Sequence, residues 1–137
     1  MTILTNKQSN VSISLPYDLY PIDDLNWSAI VASGTYLFSG AYDVQQGIRK
    51  AGKPITLQSD DGQGLGLITR DTVNKLREQC DIVETTFTLS YEADNENKSV
   101  DVMFDHTQTP IEAKPAKDFN SPNLDDWFLV TLKFRTI

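Results

Sequence analysis

Three glycines at steps of two, Gly62, Gly64 and Gly66, precede a helix-like stretch, a setting in which backbone N–H groups can cradle a phosphate. The dinucleotide fingerprint then needs glycine at position 67, which is Leu67. The other phosphate loop needs Gly-Lys-Ser/Thr, which the chain lacks. Asp60 and Asp61 in the same loop would repel phosphate, so a flexible turn is the better reading. Asp94, Asn95, Glu96 and Asn97 have the composition of a calcium loop. The ligand spacing breaks at Lys98 and no bidentate acid stands at the twelfth position. His106, beside Asp105, is the one histidine, and Cys80 is the one cysteine. Together they fall short of a zinc site. As a thiol pair they would need Cys80 exposed, yet its spacing puts it on an apolar helix stripe, as a small core residue. The carboxylate pairs Asp23-Asp24, Asp60-Asp61 and Asp125-Asp126 fall in loops, where solvated turns are the default over glycosidase chemistry. No serine stands in a Gly-x-Ser-x-Gly elbow. The expectation is a non-enzymatic protein with no cofactor and no metal.

Recognition chemistry is the remaining candidate. Tyr17, Tyr20 and Trp27 are aromatics in or beside a loop with Pro16 and Pro21. Such side chains serve binding surfaces, but they equally pin long connections onto a core. Asn95, Asn120 and Asn123 lie in two polar segments, Glu92–Lys98 and Lys117–Asp126, read as a wide hairpin tip and a loop. These six residues are the candidate interaction set.

The elements that would position them are a short helix and several strands. Thr69 can cap a helix over about residues 69–80, with Ile68 and Val73 at the spacing of a hydrophobic staple. Val73, Leu76 and Cys80 form its apolar stripe, and Asp71 precedes Lys75 and Arg77 as the helix dipole favours. Beyond Cys80 the period becomes two. Phe87, Leu89 and Tyr91 share one strand face, as do Val100, Val102 and Phe104, then Ile111 and Ala113, then Phe128 to Phe134. The polar positions Thr131, Lys133 and Arg135 of the last strand should face solvent or a partner. Upstream, Val11–Leu15 reads as a strand ended by Pro16, and Ile55 and Leu57 as another. Trp27–Phe38 reads as strand interrupted at Ser33-Gly34, with a helix over residues 25–32 as the competing reading. Gln45–Lys53 reads as an exposed loop or hairpin end. The expected fold is α+β, mainly β: a split antiparallel β-barrel with one short flanking helix. Residues 11–137 form one domain in this reading, and Met1–Asn10 a polar, flexible or partner-dependent end.

The chain has 137 residues, 39% apolar and 23% charged, enough for one real core. A formal charge of −7 disfavours a grip on nucleic acid or on an anionic membrane. It does suit the wall of a channel that DNA passes without sticking. One cysteine allows no internal disulfide, no run reaches membrane-span length, and the N-terminal residues lack a signal-peptide core. Folding in a cytoplasm is expected.

From Gly66 onward the chain resembles small tail-tip or baseplate proteins of tailed bacteriophages, of the distal-tail or tube-adaptor kind. The matching residues are Leu67-Ile68-Thr69-Arg70, Leu76-Arg77, Phe87-Thr88-Leu89, Val100-Asp101-Val102-Met103-Phe104, Pro110-Ile111-Glu112-Ala113-Lys114-Pro115 and Phe128-Leu129-Val130-Thr131-Leu132, with Gly52-Lys53-Pro54-Ile55-Thr56-Leu57 upstream. The resemblance implies a ring of copies around the tail channel, contacts with tail tube, baseplate or hub proteins, and a place in the virion after assembly in the host cytoplasm. It implies neither membrane binding nor specific nucleic-acid binding. The alternative is a small β-barrel module that binds a peptide or carbohydrate through Tyr17, Tyr20 and Trp27. A hydrolase using the loop carboxylates is a third.

Overall fold

The computed structural model describes residues 2–16, 18–19, 21–23, 25–60, 64–93, 95–116 and 123–137. Ten strands and one α-helix lie among them: β1 (Thr2–Asn6), β2 (Ser12–Leu15), β3 (Ile30–Tyr36), β4 (Tyr42–Ile48), β5 (Pro54–Gln58), β6 (Ile68–Thr69), α1 (Arg70–Cys80), β7 (Phe87–Ala93), β8 (Glu96–Phe104), β9 (Ile111–Pro115) and β10 (Trp127–Thr136). Eight strands make one antiparallel sheet in the order β2-β1-β7-β8-β10-β5, with β6 and β9 also paired to β10. The sheet curls strongly into a half-barrel. The expected mainly-β fold with one flanking helix is therefore the observed one.

β10 is the spine. Its alternating Phe128, Val130, Leu132 and Phe134 are all buried, and it exchanges hydrogen bonds with four other strands. Phe134 stacks on Phe104 at 4.8 Å, and Phe104 meets Phe87 edge-on at 5.2 Å, so three strands share one aromatic cluster. On the other face Lys133 pairs with Glu112 of β9 at 3.4 Å.

The helix forms where its residues predict. Thr69 is the N-cap and accepts a hydrogen bond from the Thr72 amide, while Ile68, Val73 and Leu76 are buried in the core. The glycine turn before it is pinned to the spine. The Ser59 hydroxyl donates to the Gly66 carbonyl at 2.7 Å and accepts from the Val130 amide at 3.0 Å.

Four readings are corrected. The stretch read as a polar, flexible or partner-dependent end holds, at Thr2–Asn6, an interior strand between β2 and β7. Its inward residues are Thr2, Leu4 and Asn6, and the polar two find distant partners. The Thr2 hydroxyl donates to the Leu19 carbonyl, and the Asn6 amide donates to Gln79 of the helix at 2.7 Å. Second, Gly34 does not interrupt β3. The Tyr42 ring lies across the space a Cβ would take, and pairing continues on both sides. Third, the segment Gln45–Lys53 is not all loop, since β4 runs to Ile48. Fourth, Glu92–Lys98 is not a wide tip. Ala93 pairs with Glu96, which leaves a two-residue connection with Asn95 at a φ of 61°, a conformation asparagine tolerates.

Candidate functional site: a projecting β-arm

β3 and β4 pair only with each other, as a two-stranded sheet separate from the half-barrel. All seven residues of each strand are exposed. The register is complete from Ile30↔Ile48 to Tyr36↔Tyr42. Opposed residues in an antiparallel pair share a face, so the register divides the arm cleanly. One face carries Ile30, Tyr36, Tyr42, Val44 and Ile48, with Ala32, Gly34 and Gln46. The other carries Ser33, Thr35, Asp43 and Gln45, with Val31 and Gly47. The arm is thus amphipathic, the pattern of a sheet with one covered face.

The arm is well made. Tyr36 and Tyr42 pack with ring centroids 4.8 Å apart. At the tip, the Leu37 amide donates to the Ala41 carbonyl at 2.8 Å and the Gly40 amide to the Leu37 carbonyl at 2.9 Å, with Gly40 at a φ of 87°. At the base, the Arg49 amide donates to the Ala29 carbonyl and the Ile30 amide to the Ser28 hydroxyl. Yet the apolar face is bare. Tyr36 is 79% exposed, Ile48 74%, and Phe38 at the tip lies wholly in solvent. Asp43 is the sole charged residue between Ser28 and Ile48 in a chain that is 23% charged. Depletion of charge with enrichment of aromatics marks the core of a protein interface.

Of the six candidate interaction residues, Tyr17, Tyr20 and Asn120 lie outside the described residues. Trp27 is half-buried just before the arm, Asn95 turns the β7–β8 hairpin, and Asn123 is exposed in a turn where its amide donates to Asp126. The three that are described stand on separate connections. The arm's apolar face was hidden from sequence reading by Gly34, Gln46 and Gly47, which read as turn residues. The alternation of Tyr42, Val44 and Ile48, broken at Gln46, is the signal that exposes it.

The catalytic candidates have structural employment. Asp23 accepts from the Thr56 amide at 2.9 Å and hydroxyl at 3.0 Å, tying its loop to β5. Asp126 holds the turn before β10, and Asp60 forms a bridge with Leu65. Asp24, Asp61 and Gly62 lie outside the described residues. Cys80 and His106 do come together: both line a cleft of about 290 Å³ with Arg77, Asp81, Thr109 and Ile111. Cys80 is only partly buried, less than its place on the stripe suggests. Burial, then the neighbouring Asp81, pushes its thiol up, opposite to the shift an attacking thiolate needs. Among the described residues no cluster of three or more His, Cys, Asp or Glu could hold a metal ion, and no helix is long and apolar enough to cross a membrane.

Asp105 is the buried polar centre the sequence reading missed. Its carboxylate accepts from the Thr107 amide and hydroxyl, from Gln108 at 2.8 Å and from Arg135 at 2.9 Å. Burial raises its pKa, but the hydrogen bonds outweigh burial and hold it at about 2. It ties the turn after β8 to the end of β10. Comparison with protein-family models, with characterised proteins and with solved structures gives no match.

Proposed function

We propose that this chain is a structural protein of a bacteriophage tail, present as several copies in a ring at the tail tip or baseplate that joins tube to tip around the DNA channel. The observation that carries this reading is the projecting arm with its uncovered apolar face. The exposed parts of Ile30, Tyr36, Tyr42, Val44 and Ile48 amount to about three whole apolar side chains. Covering them is worth about 5–9 kcal/mol. Association costs about 4–15 kcal/mol in lost freedom, so one arm contact alone is weak. A closed ring, where each copy both gives and receives an arm, overcomes that cost cooperatively. The net charge of −7 suits a subunit whose inner wall lets DNA slide. The resemblance from Gly66 onward selects the tail among assemblies of this kind.

The test is quantitative mass spectrometry of purified particles of the encoding phage, against the major tube protein. A low fixed copy number, in multiples of three, is expected. Absence from the particle overturns the reading.

A further inference from the structure

The arm leaves the half-barrel on two legs, and both are tied at their roots. On the incoming leg the Ile22 amide donates to the Thr56 carbonyl at 3.0 Å, and the Asp23 carboxylate accepts from Thr56, so this leg lies against β5. The outgoing leg, residues 49–53, is held by the last two residues of β10. Gly52 turns there at a φ of 87°. Its amide donates to the Thr136 carbonyl at 2.9 Å, and the Lys53 amide donates to the Thr136 hydroxyl at 2.9 Å. Pro54, which stands opposite Arg135, has no amide proton to give the ladder, so side chains carry part of the hold at this root. Nη1 of Arg135 donates to the Gly52 carbonyl at 3.2 Å. Arg135 is itself held. Its Nε donates to Asp105 at 2.9 Å, and Asp105 is 3% exposed and fixed by Thr107 and Gln108. One guanidinium thus runs from a buried carboxylate to the root of the arm. A planar fork donates in two set directions at once, which the point charge of a lysine on its flexible stem does not do.

We infer that Arg135, oriented by Asp105, is the positioning residue that fixes the direction in which the arm leaves the half-barrel. An arm free to swing on residues 50 and 51 samples many orientations, and all but one are given up on contact. An arm held at one angle presents its apolar face ready-oriented and loses less freedom when that face is covered. The inference concerns the root of the arm and holds whatever covers the face, so it stands apart from the tail reading.

The test is solution NMR of the full chain in a weakly aligning medium. In the unchanged protein, residual dipolar couplings of residues 30–48 are expected to fit the alignment of β7, β8 and β10, with an order parameter of about 0.85, as for rigid backbone. Arg135→Ala is expected to lower the arm's value below about 0.6 while the half-barrel couplings stay the same. Arg135→Lys keeps a charge beside Asp105 and is expected to melt close to the unchanged protein, yet to leave the arm as loose as Arg135→Ala does. Cross-strand NOEs from Ile30↔Ile48 to Tyr36↔Tyr42 report whether the arm is still formed, which separates a swinging arm from a frayed one. Lys7→Ala removes an ion pair with Asp101 elsewhere on the sheet and is expected to leave the arm fixed. An arm already loose in the unchanged protein overturns the inference, as does one that stays aligned in Arg135→Ala or loosens equally in Lys7→Ala. A frayed arm in Arg135→Ala also overturns it, because the residue then builds the arm and does not aim it. Arg135→Lys holding the arm as firmly as arginine overturns the two-way bridge. Copy number in particles bears on the tail reading alone.

Discussion

Asp105→Asn is the substitution whose effect follows most fully from the structure. Asp105 is 3% exposed and its carboxylate receives donors from Thr107, Gln108 and Arg135. Folding lowers its pKa from 3.8 to about 2. The unfolded chain therefore binds the proton more readily than the folded one. The resulting stabilisation is complete above about pH 5 and is lost as pH falls through 3.8 toward 2. The gap between the two values is worth about 2 kcal/mol. Asparagine keeps the shape but turns an N–H₂ group toward donors where an oxygen stood. At pH 7 the variant should lose about 2 kcal/mol, a fall in Tm of roughly 7 °C for a chain of this size. Urea titrations at pH 7, 5, 4 and 3 measure both proteins. The expected result is a gap that narrows below pH 4, as acid removes from the natural protein what the substitution has already removed. A gap constant from pH 7 to pH 3 refutes the assignment of that stability to the Asp105 carboxylate.

Three further outcomes follow from other elements. Leu4→Ala, at a side chain 1% exposed in β1, should cost about 3 kcal/mol in denaturant unfolding; a change near zero would mean that the N-terminal strand is not part of the folded sheet. Cys80 should react with iodoacetamide at pH 8 more slowly than free cysteine, since burial and Asp81 both raise its pKa; faster reaction would contradict that environment. Gly34→Ala should displace the Tyr42 ring and reduce the near-ultraviolet dichroism of the Tyr36–Tyr42 pair. Stability should change by less than about 0.5 kcal/mol, because the arm contributes nothing to the core.

Fold was more legible than site, for physical reasons. The helix from Thr69 and the strands at Phe87, Val100, Ile111 and Phe128 are written locally, as capping and as period in the apolar residues. β1 was not, because two of its three inward residues are polar and are satisfied by Leu19 and Gln79, far along the chain. Asp105 was read only as a neighbour of His106, since its charged partner, Arg135, arrives from another strand. The arm was half legible. Its residue types suggested a broken strand and a polar loop, and only the register of β3 against β4 sorts them into an apolar and a polar face. The pairing of Cys80 with His106 in one cleft was raised as chemistry and is met as geometry, but with the thiol shifted the wrong way.

The central claim is that the arm's apolar face is covered when the protein does its work. Amide hydrogen exchange of residues 30–48, compared between the isolated chain at low concentration and purified tail particles, tests it most directly. The account predicts fast exchange along β3 and β4 in the isolated chain, as expected of a lone two-stranded ribbon. It predicts protection approaching that of β10 in the particle. Equal and rapid exchange of the arm in both states would contradict it.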